Sequence, residues 1–149
     1  MPPVSSTDRR ISSCLMGLIF GLLLVGLVSG TPLRHVVQVL PACVVLVALS
    51  RRATWSPSAS AALFAFWLLI MILIWLFLLG LAHILTGNFS RAETILTFFI
   101  GGWSLFGLVN FFRTPASTSL TSRLTAFVAF ALLQVAVLWL SMQPYLSHR

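Results

Sequence analysis

Four polar side chains at or within apolar segments are the candidates for chemistry: Gln38, His83, Glu93 and Gln134. An imidazole and a carboxylate can transfer protons or bind a metal ion, and amides can line a path for a polar solute. However, the histidines of this chain do not have the i, i+4 spacing of two metal ligands on one helix. We therefore predict no metal site and no cofactor, and we keep these four residues as candidate polar binding groups.

The residue types needed for enzymatic catalysis are sparse. The two carboxylates, Asp8 and Glu93, are far apart in the chain, and the sequence has no nucleophile with an evident base and no phosphate-binding glycine loop. We therefore predict no catalytic residue and a function other than that of an enzyme.

Glu93 itself has two interpretations. It follows Ser90 by three residues, just ahead of an apolar run, which is the capping-box pattern at the start of a helix. As an acid close to an apolar segment, it is also a candidate ligand for a proton or a cation. The spacing and the position in front of the run favour the cap.

Gln38 and Gln134 lie inside apolar runs. An amide in that position usually hydrogen-bonds to a neighbouring helix, a contact worth about 0.6 kcal/mol. The alternative is that the two amides line a translocation path together with His83. His83 falls near the end of the longest apolar run, so we predict that it marks the place where a helix leaves the bilayer.

Glycines at fourfold spacing predict close contact between helices. Gly17-x-x-x-Gly21 and Gly26-x-x-x-Gly30 both fall in the first apolar run. Small residues four apart form a groove that lets another helix approach closely. Because Gly21 and Gly26 are five residues apart, we expect the two motifs to point in different directions.

The composition indicates the environment in which these residues act. Of 149 residues, 59% are hydrophobic and only 7% are charged, and the mean hydropathy is +1.06. In a soluble domain about a quarter of the residues are charged, so we predict that lipid covers this protein. The nine arginines stand singly or in pairs between apolar runs, without the basic stripe of a nucleic-acid-binding protein.

The apolar runs predict an all-α, polytopic membrane bundle that forms a single domain over residues 1–149. A spanning helix needs roughly 20 apolar residues. The second run is short and contains Pro41, so a four-span alternative in which it does not cross remains open. The predicted spans cover residues 11–30, 34–50, 60–85, 95–112 and 124–142, and residues 1–10 are predicted to form a mobile cytoplasmic tail.

The distribution of arginines favours five spans. With the N-terminus in the cytoplasm, six arginines lie inside and three outside, which is the expected bias. If the second run does not cross, the bias disappears. An alternative treats the first run as a cleaved signal peptide, although it is longer than the usual apolar region of one.

We therefore expect a multi-pass protein of a bacterial-type inner membrane, with its N-terminus in the cytoplasm and its C-terminus outside. Its predicted partners are the lipid bilayer and either a second copy of the chain or another membrane protein, and no nucleic acid. The expected function is that of an accessory or interaction subunit. The alternative is a small transporter or channel component with a sparse polar path.

Overall fold

Five long helices form the described part of the protein. In the computed structural model, residues 6–82, 89–114 and 119–143 are described. Within these ranges every regular element is an α-helix, and all five helices are long and apolar enough to cross a membrane. The helices are α1 (Ser6–Val28), α2 (Pro32–Ser50), α3 (Ser56–Leu78), α4 (Arg91–Phe112) and α5 (Leu120–Ser141).

The second helix is longer than its apolar run. Its 19 residues correspond to about 28 Å at 1.5 Å per residue. It begins with Pro32, whose missing N–H costs nothing in the first turn, and it continues through Pro41 without a break. The prediction of an all-α fold with five helices of spanning length is confirmed.

All five helices begin earlier than predicted, and in α1, α4 and α5 polar residues form the first turn. α1 begins at Ser6, so residues 6–10, which were predicted as part of a tail, are helical. Asp8 lies in that first turn, where an acid interacts favourably with the helix dipole. α4 and α5 each begin four residues ahead of their apolar runs, after the capping residues Ser90 and Ser119.

The third helix is displaced relative to its predicted span of 60–85. It begins at Ser56, with Pro57 in its first turn, and it ends at Leu78. Gly80 ends it, because its φ of +71° lets the N–H groups of Gly80 and Leu81 bond back to the carbonyls of Phe77 and Leu76. Residues 83–85 of the predicted span lie outside the described residues.

α3 is the central helix and packs against each of the other four. Its residues 58–64 are all buried, and small serine and alanine side chains there let the neighbouring helices approach closely. α1 contributes Ile11, Leu15, Leu18 and Leu22 to the same core. α1 is therefore part of the hydrophobic core of the described bundle.

Contacts between the helices show that they alternate in direction. Gly17 and Gly21 of α1 lie against Trp103 and Ile100 of α4, so the residue numbers run in opposite senses along the two helices. Phe64 of α3 lies against Gly107 of α4, and Trp75, eleven residues further along α3, lies against Gly101. The start of α1, the end of α2, the start of α3, the end of α4 and the start of α5 therefore share one end of the bundle.

Large apolar side chains cover the outside of the bundle. Many of these side chains have about half or more of their surface exposed, among them Leu27, Phe106, Leu132 and Trp139. Such a surface is unfavourable in water and suits lipid. Together with the five helices of spanning length, it indicates a multi-pass membrane protein.

Candidate functional site

The two glutamines singled out in the sequence meet between α2 and α5. Gln134 donates a hydrogen bond from Nε2 to the main-chain oxygen of Gln38, at 3.2 Å. Gln38 donates from its own Nε2 to the hydroxyl of Ser141, at 2.9 Å, and Ser141 donates to the main-chain oxygen of Leu138. We call Gln38, Gln134 and Ser141 the amide cluster. It joins two helices that are about 100 residues apart in sequence.

Helix geometry explains how α5 supplies two members of this cluster. Gln134 and Ser141 are seven residues apart, which is two helical turns, so their side chains lie on one face. Ala126, Gln134 and Ser141 are the buried residues of α5, while long apolar side chains point outward around them. The inward face of α5 is thus marked by small and polar residues.

The amide cluster is fully enclosed. Gln38 is 2% exposed, and Gln134 and Ser141 are 0% exposed. The Oε1 atom of Gln134 has no hydrogen-bond partner among the described residues. A buried acceptor without a donor costs about 1–3 kcal/mol. The cluster therefore combines two hydrogen bonds between α2 and α5 with one unsatisfied acceptor, the Oε1 atom of Gln134.

His35 lies one turn before Gln38 on α2 and is also buried. Its Nδ1 atom is 3.0 Å from the main-chain oxygen of Thr31. A β-carbon on Gly26 of α1 would lie 2.7 Å from the β-carbon of His35, so the glycine makes room for the imidazole. His35 is consequently held in the hairpin between α1 and α2.

Glu93 forms a capping box at the start of α4. The main-chain N–H of Ser90 donates to Oε2 of Glu93 at 2.7 Å, and the N–H of Glu93 donates to the Ser90 hydroxyl at 3.2 Å. The predicted cap is confirmed. His83 lies outside the described residues, so its predicted position at the boundary of the membrane stays a prediction.

The glycines of α1 have three different environments. A β-carbon on Gly17 would lie 2.5 Å from the Trp103 ring, and one on Gly21 would lie 2.7 Å from Ile100. These two glycines thus pack against α4, whereas Gly26 packs against His35 of α2. Gly26 therefore packs against a different helix from Gly17 and Gly21.

Gly30 corrects the prediction that all four glycines pack against a helix. It follows the end of α1 with a φ of +70°, and nothing lies within 4 Å of the position of a β-carbon. The N–H groups of Gly30 and Thr31 bond back to the carbonyls of Leu27 and Gly26. Gly30 is a helix-terminating residue, because only its left-handed backbone closes these bonds without strain.

Sequence reasoning missed two further polar or aromatic contacts. The indole N–H of Trp75 on α3 donates to the Thr97 hydroxyl on α4 at 2.9 Å. Trp55 stacks on Phe130 of α5, with ring centroids 5.3 Å apart. Hydroxyl and indole groups inside apolar runs were the available signal, since each needs a partner in lipid, but their partners cannot be read from one sequence.

An open groove of about 520 Å³ lies at the end of the bundle where α3 and α5 begin. Its lining combines Trp55 and Phe130 with alanines and hydroxyl-bearing residues of α5. Among the described residues, no three side chains of the His, Cys, Asp or Glu type come together to hold a metal ion.

Compared with known proteins, the chain matches no family model, no curated protein and no solved structure. Function must therefore be inferred from the residues and their geometry. The buried polar groups of α2 and α5 join two helices of this chain, as polar side chains do inside a membrane bundle.

Proposed function

We propose that the protein is an accessory or interaction subunit of a bacterial-type inner membrane, with its N-terminus in the cytoplasm. In this role it binds a transmembrane helix, either of a second copy or of a larger membrane protein. The observation that carries the proposal is an open notch on the outer face of α4, centred on Gly102. The expected excess of arginines on the cytoplasmic side supports the orientation.

The notch has a defined shape. Gly102 is exposed, and nothing lies within 4 Å of where its β-carbon would be. Phe98 and Phe106, one turn to either side, are 60% and 49% exposed. Phe98 stacks on Trp75 of α3, with ring centroids 5.0 Å apart, so one wall of the notch is fixed in place.

A glycine between two exposed aromatic residues suits a helix better than it suits water or a polar solute. In lipid, helices associate by close packing and not by the hydrophobic effect, and small residues permit that packing. The other glycines of α4, Gly101 and Gly107, pack against Trp75 and Phe64 of α3, respectively. Gly102 offers the same kind of contact on the outside.

The test compares two variants on exposed positions of different helices. Gly102→Leu fills the notch, and the structure leaves space for the new side chain, so the fold is retained. Ala136→Leu introduces the same side chain at an exposed site on α5 and serves as the matched control. Each variant is purified from native membranes in mild detergent, and its mass and co-purifying proteins are quantified.

We expect the wild type and Ala136→Leu to elute with a stoichiometric second chain, and Gly102→Leu to elute without it. A monodisperse wild-type monomer without a co-purifying protein contradicts the proposal. Equal assembly of Gly102→Leu and the wild type also contradicts it.

A transport function is the second candidate, and the unsatisfied Oε1 of Gln134 favours it, because a buried acceptor can bind a proton donor in transit. Proteoliposomes containing a pH-sensitive dye measure proton flux under an imposed gradient. Flux that disappears in Gln134→Leu, with the protein still folded, supports transport. Wild-type flux no greater than that of empty liposomes rules it out for protons.

A further inference from the structure

The groove between Trp55 and the start of α5 changes in character along its length. At its outer end it is lined by exposed hydroxyl-bearing residues of α5, namely Thr121, Ser122 and Thr125. Deeper along α5 the lining becomes apolar, with Ala126, Ala129 and Phe130. A phospholipid has the same order of groups, from a polar headgroup to an acyl chain.

The shape of the groove depends on one aromatic pair and two small residues. Trp55 and Phe130 stack with an interplanar angle of 21°, which gives the apolar end a flat aromatic wall. Ala126 and Ala129 have only a methyl group, so the adjoining face of α5 stays open. A flat wall beside a shallow channel fits a flexible hydrocarbon chain.

The charge at this end of the bundle is strongly positive. Because the helices alternate in direction, six of the described arginines lie at this end, with Asp8 as the acid there. These are Arg9, Arg10, Arg51, Arg52, Arg113 and Arg123. The opposite end has Arg34 and Arg91 together with Glu93 among the described residues. The groove therefore opens onto the more basic end.

Arg123 directly follows Ser122, which lines the groove, but it is not itself a lining residue. It lies on the same helical turn as Ser122 and Thr125, and its guanidinium carbon is 5.4 Å from the centre of the Phe111 ring. The long side chain therefore rests against α4, and it turns toward the neighbouring Ser122 when it binds a phosphate in the groove. A guanidinium group and hydroxyls that reach the same phosphate are favourable partners for it.

We propose that this groove binds an anionic phospholipid such as phosphatidylglycerol. The phosphate interacts with Arg123 and with the hydroxyls of Ser122 and Thr125, and one acyl chain lies along Ala129 and Phe130. Basic sites between helices at the cytoplasmic surface bind anionic headgroups by the same chemistry. A zwitterionic lipid would bring a cation toward the arginines, and inorganic phosphate would leave the apolar end of the groove empty.

The experiment measures which lipids the full-length protein retains. The protein is reconstituted in nanodiscs of phosphatidylcholine and phosphatidylglycerol in a three-to-one ratio, extracted in mild detergent, and analysed by native mass spectrometry. Two variants target the groove: Arg123→Gln removes the charge, and Ala129→Phe fills the apolar end. Their matched controls are Arg91→Gln, at the opposite end, and Ala136→Phe, an exposed alanine two turns further along α5.

We expect bound phosphatidylglycerol to exceed its share in the nanodisc. Arg123→Gln should lower its retention about five-fold, since one arginine near an anionic surface contributes about 1 kcal/mol. Ala129→Phe should lower retention at least as much, and both control variants should retain lipid as the wild type does. Inorganic phosphate at millimolar concentration should not raise the melting temperature.

Three results would overturn the proposal. One is equal retention of phosphatidylcholine and phosphatidylglycerol by the wild type. Another is loss of phosphatidylglycerol in Ala136→Phe to the same extent as in Ala129→Phe. The third is stabilisation by inorganic phosphate alone, which would assign the site to a free anion. Near-ultraviolet circular dichroism of each variant verifies that it is folded, so that a loss of lipid reports on the groove.

Discussion

The same substitution should have different effects on stability at two glycines of α4. Gly102 and Gly107 are five residues apart in one helix. Around Gly102 there is open space, whereas a β-carbon on Gly107 would lie 2.5 Å from Cε2 of Phe64. Phe64 is 0% exposed in the centre of the bundle, so its ring cannot move aside without displacing other core residues.

The magnitudes follow from two opposing terms. Replacing glycine by alanine inside a helix stabilises it by about 0.8–1 kcal/mol. Gly102→Ala should therefore raise the free energy of unfolding by about this amount. At Gly107 the same gain is set against overpacking of about 1–3 kcal/mol, so Gly107→Ala should be neutral or destabilising by up to about 2 kcal/mol. The two variants should thus differ by about 1–3 kcal/mol.

The assay is reversible unfolding in mixed micelles with increasing SDS, followed by tryptophan fluorescence. Gly101→Ala is a second internal position, where the β-carbon would lie 2.6 Å from the Trp75 ring. It should resemble Gly107→Ala in sign. If Gly107→Ala stabilised the protein as much as Gly102→Ala, the packing of α3 against α4 described above would be wrong.

Three further predictions concern a helix end, the amide cluster and the capping box. Gly30→Ala should destabilise the protein by about 1–2 kcal/mol despite the open space, because the φ of Gly30 is +70°. Gly30→Asn should recover part of this loss. Equal stability of the wild type and both variants in SDS unfolding would refute the assignment of Gly30 as a helix end. Gln38→Leu should destabilise the protein by about 0.6 kcal/mol in the same assay. Gln134→Leu also removes the unsatisfied Oε1 atom, so it should be neutral or stabilising. A greater loss of stability in Gln134→Leu than in Gln38→Leu would contradict the geometry of the cluster. Glu93→Gln should keep the capping box and the stability of the wild type, since glutamine also serves at that position, whereas Glu93→Ala should lower the melting temperature; a loss in Glu93→Gln equal to that in Glu93→Ala would instead favour a role of the charge.

Features carried by local sequence were predictable. The capping box of Ser90 and Glu93 needs only residues three apart, and each apolar run was long enough to identify a helix. The errors at the helix starts have a local cause as well. Polar first turns, such as residues 6–10 of α1, extend a helix beyond its apolar run, and hydropathy alone does not detect them.

The arrangement of the helices was less predictable, because lipid removes the usual signal. In a water-soluble protein, apolar residues mark the face of a helix that points into the core, but in a bilayer they also cover the face that points toward lipid. On α5 the inward residues are Ala126, Gln134 and Ser141, and the large apolar side chains point outward. The central position of α3 and the pairing of Gln38 with Gln134 depend on tertiary contacts that one sequence does not contain.

Membrane topology provides the most direct test of the central claim, which is that all five helices cross the bilayer with the N-terminus in the cytoplasm. Reporter domains that are active on one side only are fused after Arg52 and after Arg91. We expect the fusion after Arg52 to report the cytoplasm and the fusion after Arg91 to report the opposite side. Both reporters on the same side, or the Arg52 fusion outside, would contradict the account.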